Sequence, residues 1–171
     1  MRWLKKSNEP KRGTGACIDI TRLQRELGVR IGARGSSTLT LACDEMNRSN
    51  HRELGAEHLI VGVLEEGGPA AQLLLEHGIT LEGTRAQIAE ALWEADEPLE
   101  NVGLTSEASN ILATAAEAAG MRGHPAIEPE HMTYGFACSG FEITSRVLHM
   151  AGVDRPELLR ASERLLSPNG H

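Results

Sequence analysis

"GAEHLIVGVL", residues 55–64, and "EPEHMTYGFA", residues 128–137, decide how this chain is read. In each, a Glu-His pair (Glu57-His58 and Glu130-His131) stands directly in front of an apolar run, and the two pairs lie 73 residues apart. The same offset relates His51 to His124 and Gly62 to Gly135, while Gly78 is matched one residue later by Gly152. Recurrence of an ordered set at one spacing marks an internal repeat.

The segments around these pairs read as helices. "STLTLACDEMNRSN", "AEHLIVGVLEE", "PAAQLLLEHG" and "TLEGTRAQIAEALWEADE" follow one another from Ser37, with Pro69 suited to a first helical position and Gly78 to a stop. After a polar linker, "PLENVG" at 98–103, the order returns as "TSEASNILATAAEAAGM", a turn "RGHPAIEP", "EHMTYGFACSG", "EITSRVLHMAG" and "PELLRASERLL". β-Branched alternation is not sustained anywhere, so no strand is expected. The predicted fold is all-α: two pseudo-repeats of about four helices each, spanning 37–97 and 104–167. Ahead of them, 17–36 reads as a short helix, "CIDITRLQRELG" with Gly28 as its stop, followed by a loop. Residues 1–16 read as a disordered basic tail.

Composition narrows the function classes. The chain has 171 residues with 40% apolar content but only two Trp, one Tyr and two Phe, so the core must be aliphatic. No apolar run approaches a membrane span, and the charged N-terminus lacks the apolar stretch of a signal peptide, so a cytoplasmic protein is expected. The net charge of −7 divides unevenly. Residues 1–34 carry nine Arg or Lys against three acids, and residues 35–171 carry eight against twenty-one. A basic arm before an acidic body either touches nucleic acid or docks on the body; lacking interleaved aromatics and a reading helix, it is not expected to bind nucleic acid. Cys17, Cys43 and Cys138 show no CxxC or zinc spacing and read as free thiols, Cys43 and Cys138 as small core residues.

The repeated set resembles the Clp repeat, the N-terminal domain of ClpA- and ClpC-type unfoldases. His51, Gly55, Glu57-His58, Gly62, Glu66-Gly67, Ala70-Ala71 and Gly78 carry the likeness in the first copy. "LTSEA" at 104–108, Gly123-His124, Glu130-His131, Gly135 and Gly152 carry it in the second, so that it covers about 37–166. There is no GxxxxGK[ST] motif, so the resemblance implies the client-binding head of an unfoldase without its motor, and no enzyme.

For the paired residues, plain physical chemistry offers a structural reading: Glu57 and Glu130 complement the positive end of a helix, and His58 and His131 are buried histidines with a single partner. The resemblance adds a ligand. Similar domains bind clients or adaptors, some of them through phosphorylated arginine, with the Glu of Glu-His receiving the guanidinium and the start of the repeat's first helix holding the phosphate. By position, Glu57 and Glu130 would receive guanidinium and Thr105 would open the phosphate-binding turn, with Gly32 in the matching place of the first repeat. The basic residue that follows the helix-starting Thr in the family is Glu107 here, and the aromatic before it is Ile31 or Leu104. No cofactor is expected. No metal site is expected either, because adjacent helical residues point about 100° apart and no HExxH occurs. The function implied is a non-enzymatic accessory protein of the Clp protease system, with protein clients, adaptors or a Clp ATPase as partners, and phosphoarginine or cyclic peptides as candidate ligands. The alternatives are a decoy that sequesters peptide antibiotics aimed at such domains, and a regulator that contacts DNA through residues 1–34.

Overall fold

The computed structural model describes residues 17–90 and 102–167. The expected tail at 1–16, the continuation of the fourth helix past Glu90 with Trp93, and residues 98–101 of the linker lie outside the described residues.

A short helix α1 (Ile20–Leu27) opens the fold; the Asp19 carboxylate accepts the N–H of Arg22 at its start, and Gly28 ends it at φ 67°. The first repeat follows as β1 (Arg30–Ile31), α2 (Ala33–Arg48), β2 (Glu53–Leu54), α3 (Ala56–Glu66), α4 (Gly68–Glu76) and α5 (Leu81–Glu90). The second is β3 (Gly103–Leu104), α6 (Ser106–Met121), β4 (Ala126–Ile127), α7 (Pro129–Cys138), α8 (Glu142–Met150) and α9 (Arg155–Leu165). The all-α architecture is therefore as read from the sequence, with helix order matching in the two copies. The core is aliphatic, led by Leu39, Leu59, Ile60, Ile111 and Met132, and among the described residues Phe136 is the one Phe, Tyr or Trp that is fully buried.

Each repeat is built on a close crossing of its first two long helices. A Cβ at Gly62 of α3 would overlap the backbone carbonyl of Thr38 on α2, and a Cβ at Gly135 of α7 would overlap that of Ile111 on α6. Glycine lets the two backbones touch, so the apolar rows beside it interlock at short range.

The strands were not anticipated. The four among the described residues are each two residues long and parallel, and they pair across the repeats: β1 with β4 (Ile31 opposite Ile127) and β2 with β3 (Leu54 opposite Leu104). The ladder runs on into the helices, where Gly32 donates its N–H to the Ile127 carbonyl at 2.9 Å and Thr105 donates to Leu54 at 3.1 Å. This pairing also moves a helix start. The sequence put the first long helix at Ser37 and left "VRIGARGSS" as a loop, but α2 begins at Ala33 with Gly32 as its N-cap. A Cβ at Gly35 would sit 2.5 Å from the Ile127 carbonyl, so the glycine there serves a close approach inside a helix and is not a loop signal.

The cysteine reading is corrected twice. Cys17 and Cys43 form a disulfide, Cα atoms 5.3 Å apart, that ties the segment ahead of α1 to buried Cys43 on α2. Cys138, at the end of α7, is exposed and not a core residue. Neither follows from spacing, because the folded path alone brings residues 17 and 43 together.

Two outcomes are expected. Gly62→Ala or Gly135→Ala should destabilise the fold by about 1–3 kcal/mol through forced separation of the helix pair, read as a lowered denaturant midpoint. Reduction of Cys17–Cys43, which are separated by 26 residues, should cost about 3 kcal/mol and lower the melting temperature by about 6–12 °C. A melting curve unchanged by dithiothreitol would contradict this.

Candidate functional site

The first helix of one repeat and the second helix of the other begin side by side, joined by the strand pairs. This makes two equivalent corners. One holds the start of α6 with Thr105 and the start of α3 with Glu57. The other holds the start of α2 with Gly32 and the start of α7 with Glu130.

The histidines frame both corners. His58 Nδ1 accepts the N–H of Gly55 at 2.9 Å, and its Nε2 lies 3.0 Å from His51 Nδ1. In the second repeat His131 Nδ1 accepts from Glu128 at 3.0 Å, and Nε2 lies 2.8 Å from His124 Nδ1. Because Nδ1 takes a backbone N–H, the proton of His58 and of His131 sits on Nε2 and is donated to the partner ring. Both pairs meet edge-on, with ring centroids 4.9 and 5.0 Å apart. Burial first, and then the neighbouring histidine, lowers the His58 pKa to about 3 and that of His131 to about 4. These are neutral capping rings, buried as the structural reading had it, but each with two hydrogen-bond partners and not one.

Glu57 and Glu130 each lie in the first turn of their helix, where a carboxylate gains roughly 0.3–1 kcal/mol from the helix dipole. Their surroundings then diverge. At the Glu130 corner, Arg34 on α2 places Nη1 2.7 Å from the Glu130 carboxylate and forks onto Glu66 at the end of α3 with Nε and Nη2, at 2.9 and 2.8 Å. The Glu128 carboxylate accepts the Gly35 N–H at 2.8 Å, covering the start of α2. A guanidinium on Glu130 and an anion on the helix start are thus both supplied from within.

At the Glu57 corner neither is supplied in hydrogen-bond contact among the described residues, and Arg146 acts there only through its charge. Arg34 is replaced by Glu107 and Glu128 by Gly55. Glu107 is buried and turned inward, its carboxylate accepting from Ser139 Oγ at 3.3 Å, Thr144 N at 2.8 Å and the Thr144 hydroxyl. Thr105 Oγ1 caps α6 by accepting the N–H of Ala108 at 3.1 Å. The Glu57 side chain is only 16% exposed, and its pKa is raised, mainly by burial and further by Glu107, while its own backbone N–H and Arg146 oppose the rise. Thr105 and Glu57 do share a corner, but Glu57 and Glu130 do not share a chemistry.

The metal argument needs amending. Glu57 folds back until its Oε1 is 3.5 Å from His58 Nδ1, so the angular objection fails, and His51, Glu57 and His58 bring ligand atoms within 4.8 Å of one another. A cation there would have to break the bonds to Gly55 and His51, since both His58 nitrogens are committed.

Sequence reasoning missed Arg34 and Glu128, and it singled out Glu66 only as part of the repeat's likeness, with no role at a site. The only available signal was the 73-residue offset, which aligns Arg34 with Glu107 and shows the charge reversal.

Comparison with known proteins agrees with this architecture. Residues 103–169, the second copy of the repeat, match the family described as the Clp repeat (R) N-terminal domain. The negative regulator of genetic competence ClpC/MecB of Bacillus subtilis (strain 168) is 27% identical over 141 residues, 82% of this chain and 17% of that protein. The chain therefore spans about a sixth of such a relative's length. Among solved structures, the N-terminal domain of the chaperone ClpD from Arabidopsis thaliana superposes with a TM-score of 0.66 at 20% identity, covering 81% of this chain and 98% of that one. The ClpV N-domain in complex with a VipB peptide superposes at 0.60 with 14% identity, covering 90% and 95%.

The lowered histidine pKa values carry a pH prediction. The unfolded histidines titrate near 6.5, so the neutral rings contribute fully above that pH. Stability should fall as pH drops from 6.5 toward about 4 for His131 and about 3 for His58, by about 1.4 kcal/mol per pH unit for each ring inside its window. Glu57, with a raised pKa, works in the opposite direction. Denaturant unfolding at pH 7, 6 and 5 should show the loss, and His58→Gln with His131→Gln should flatten it.

Proposed function

We propose that this chain is a non-catalytic, client- or adaptor-binding domain of the Clp system, and that it takes an arginine side chain of its partner at the Glu57 corner. The observation that carries the reading is internal. Glu130, in the equivalent place, already holds a guanidinium at 2.7 Å, while Glu57 is a largely buried carboxylate with a raised pKa and no cation in hydrogen-bond contact among the described residues. A carboxylate at low exposure is stabilised by a forked, charge-assisted bond.

Thr105 then borders the bound arginine. A phosphoryl group on that arginine would meet the start of α6, where backbone N–H groups and the helix dipole favour an anion. A phosphorylated client is one form of the partner; an unmodified arginine in an adaptor, in a cyclic peptide or on a Clp ATPase is the other. The VipB peptide bound to the ClpV N-domain makes a peptide ligand reasonable for this fold. Among the described residues no helix is long and apolar enough to cross a membrane, and a cytoplasmic setting goes with the Clp system.

Calorimetric titration with N-acetyl-arginine amide and, separately, with free phosphoarginine tests the proposal. Binding should weaken at least tenfold, about 1.4 kcal/mol, in Glu57→Gln and stay within about twofold in Glu130→Gln. Tighter binding of phosphoarginine would identify marked clients. Absence of heat for both ligands at millimolar concentration would sink the reading and leave Glu57 as a helix-start residue.

A further inference from the structure

We infer that the Glu130 corner is occupied in cis, with Arg34 and Glu128 as its built-in occupant, and that the domain therefore takes a guanidinium-bearing partner at one corner instead of two. The inference rests on the proposed arginine site at Glu57 for its open corner, and on the geometry at Glu130 for its closed one.

Three features make Arg34 an occupant and not a passing surface ion pair. It reaches across the repeats, from α2 to α7, a separation of 96 residues. Its guanidinium spends Nε, Nη1 and Nη2 at once on Glu66 and Glu130, carboxylates whose side chains are 11% and 14% exposed. The backbone also leaves room for it. A Cβ at Gly68, whose φ is 73°, would come within 2.6 Å of Arg34 Nη2, so glycine at the α3–α4 turn clears the path of the fork. The complementary group is in place too, because the Glu128 carboxylate accepts the Gly35 N–H in the first turn of α2. It also fills the space where a side chain at Gly32 would stand.

A guanidinium from outside must therefore displace Arg34 from two acids before it can reach Glu130. Among the described residues no guanidinium forks onto Glu57 in this way: Arg146 acts on it only through its charge, the residue aligned with Arg34 is Glu107, tied to Ser139 and Thr144, and the residue aligned with Glu128 is Gly55. The repeat has kept both corners in shape while one of them is stoppered.

The test is a titration of the isotope-labelled chain with N-acetyl-arginine amide, following the backbone amide signals of Glu57-His58 and Glu130-His131 separately by NMR. In the native sequence only the Glu57 signals should shift. In Arg34→Gln, which leaves Glu66 and Glu130 without their cation, the Glu130 signals should shift as well, with apparent affinity there at least tenfold above native. Arg34→Lys, which keeps a charge but cannot fork, should fall between and serves if Arg34→Gln does not fold. Equal shifts at both corners of the native protein would overturn the inference while leaving the arginine site standing. Shifts at Glu130 in Arg34→Gln with none at Glu57 in any variant would uphold the stopper and remove the arginine site. No shifts in any variant would overturn both.

Discussion

The two leading helices, α2 and α6, each start on a hydrogen bond to the other repeat, Gly32 N–H to Ile127 and Thr105 N–H to Leu54. A two-residue parallel pair has little stability of its own. Here it persists because Ile31, Leu54 and Ile127 are buried in the core and cannot leave their carbonyls and N–H groups unpaired. The crossed pairing fixes where each helix begins and sets it beside the second helix of its neighbour. Both corners are products of that arrangement, so neither repeat could form one alone.

Much of this was legible in the sequence, and for a physical reason. Gly62 and Gly135 recur because a helix crossing leaves no room for a Cβ. His58 and His131 recur because each caps the N–H three residues before it, and Gly28 and Gly78 mark left-handed stops. These are local constraints or constraints repeated at a constant offset, and a single sequence records both kinds. What could not be read depends on long-range partners. The strands are shorter than any periodicity, and the start of α2 is hidden by Gly32 and Gly35, whose purpose is the carbonyl of Ile127. Arg34 finds Glu130 across 96 residues, and Cys17 finds Cys43 across 26 without any motif.

Duplication also explains how the corners could diverge without disturbing the fold. The strand bridges and the neutral rings of His58 and His131 hold each corner through backbone atoms and ring nitrogens. The side chains at positions 34 and 107 were thus free to take opposite signs. One reaches outward to two acids, and the other turns inward to hydroxyls and a backbone N–H. A single backbone supports a neutralised corner and an acidic one.

The helix-dipole role accounts for Glu57 and Glu130 equally, which is why it is insufficient. A first-turn carboxylate gains roughly 0.3–1 kcal/mol whether or not a cation is near. Burial acts against an ionised carboxylate, and at Glu57 burial, with Glu107 adding to it, holds the pKa above the ordinary value. At Glu130, which is 14% exposed against 16% for Glu57, the Arg34 guanidinium lies 2.7 Å away and pairs the charge. An exposed helix-start position would have given Glu57 the same dipole energy with no desolvation. Its placement inside the corner, next to a second acid, costs the domain that desolvation.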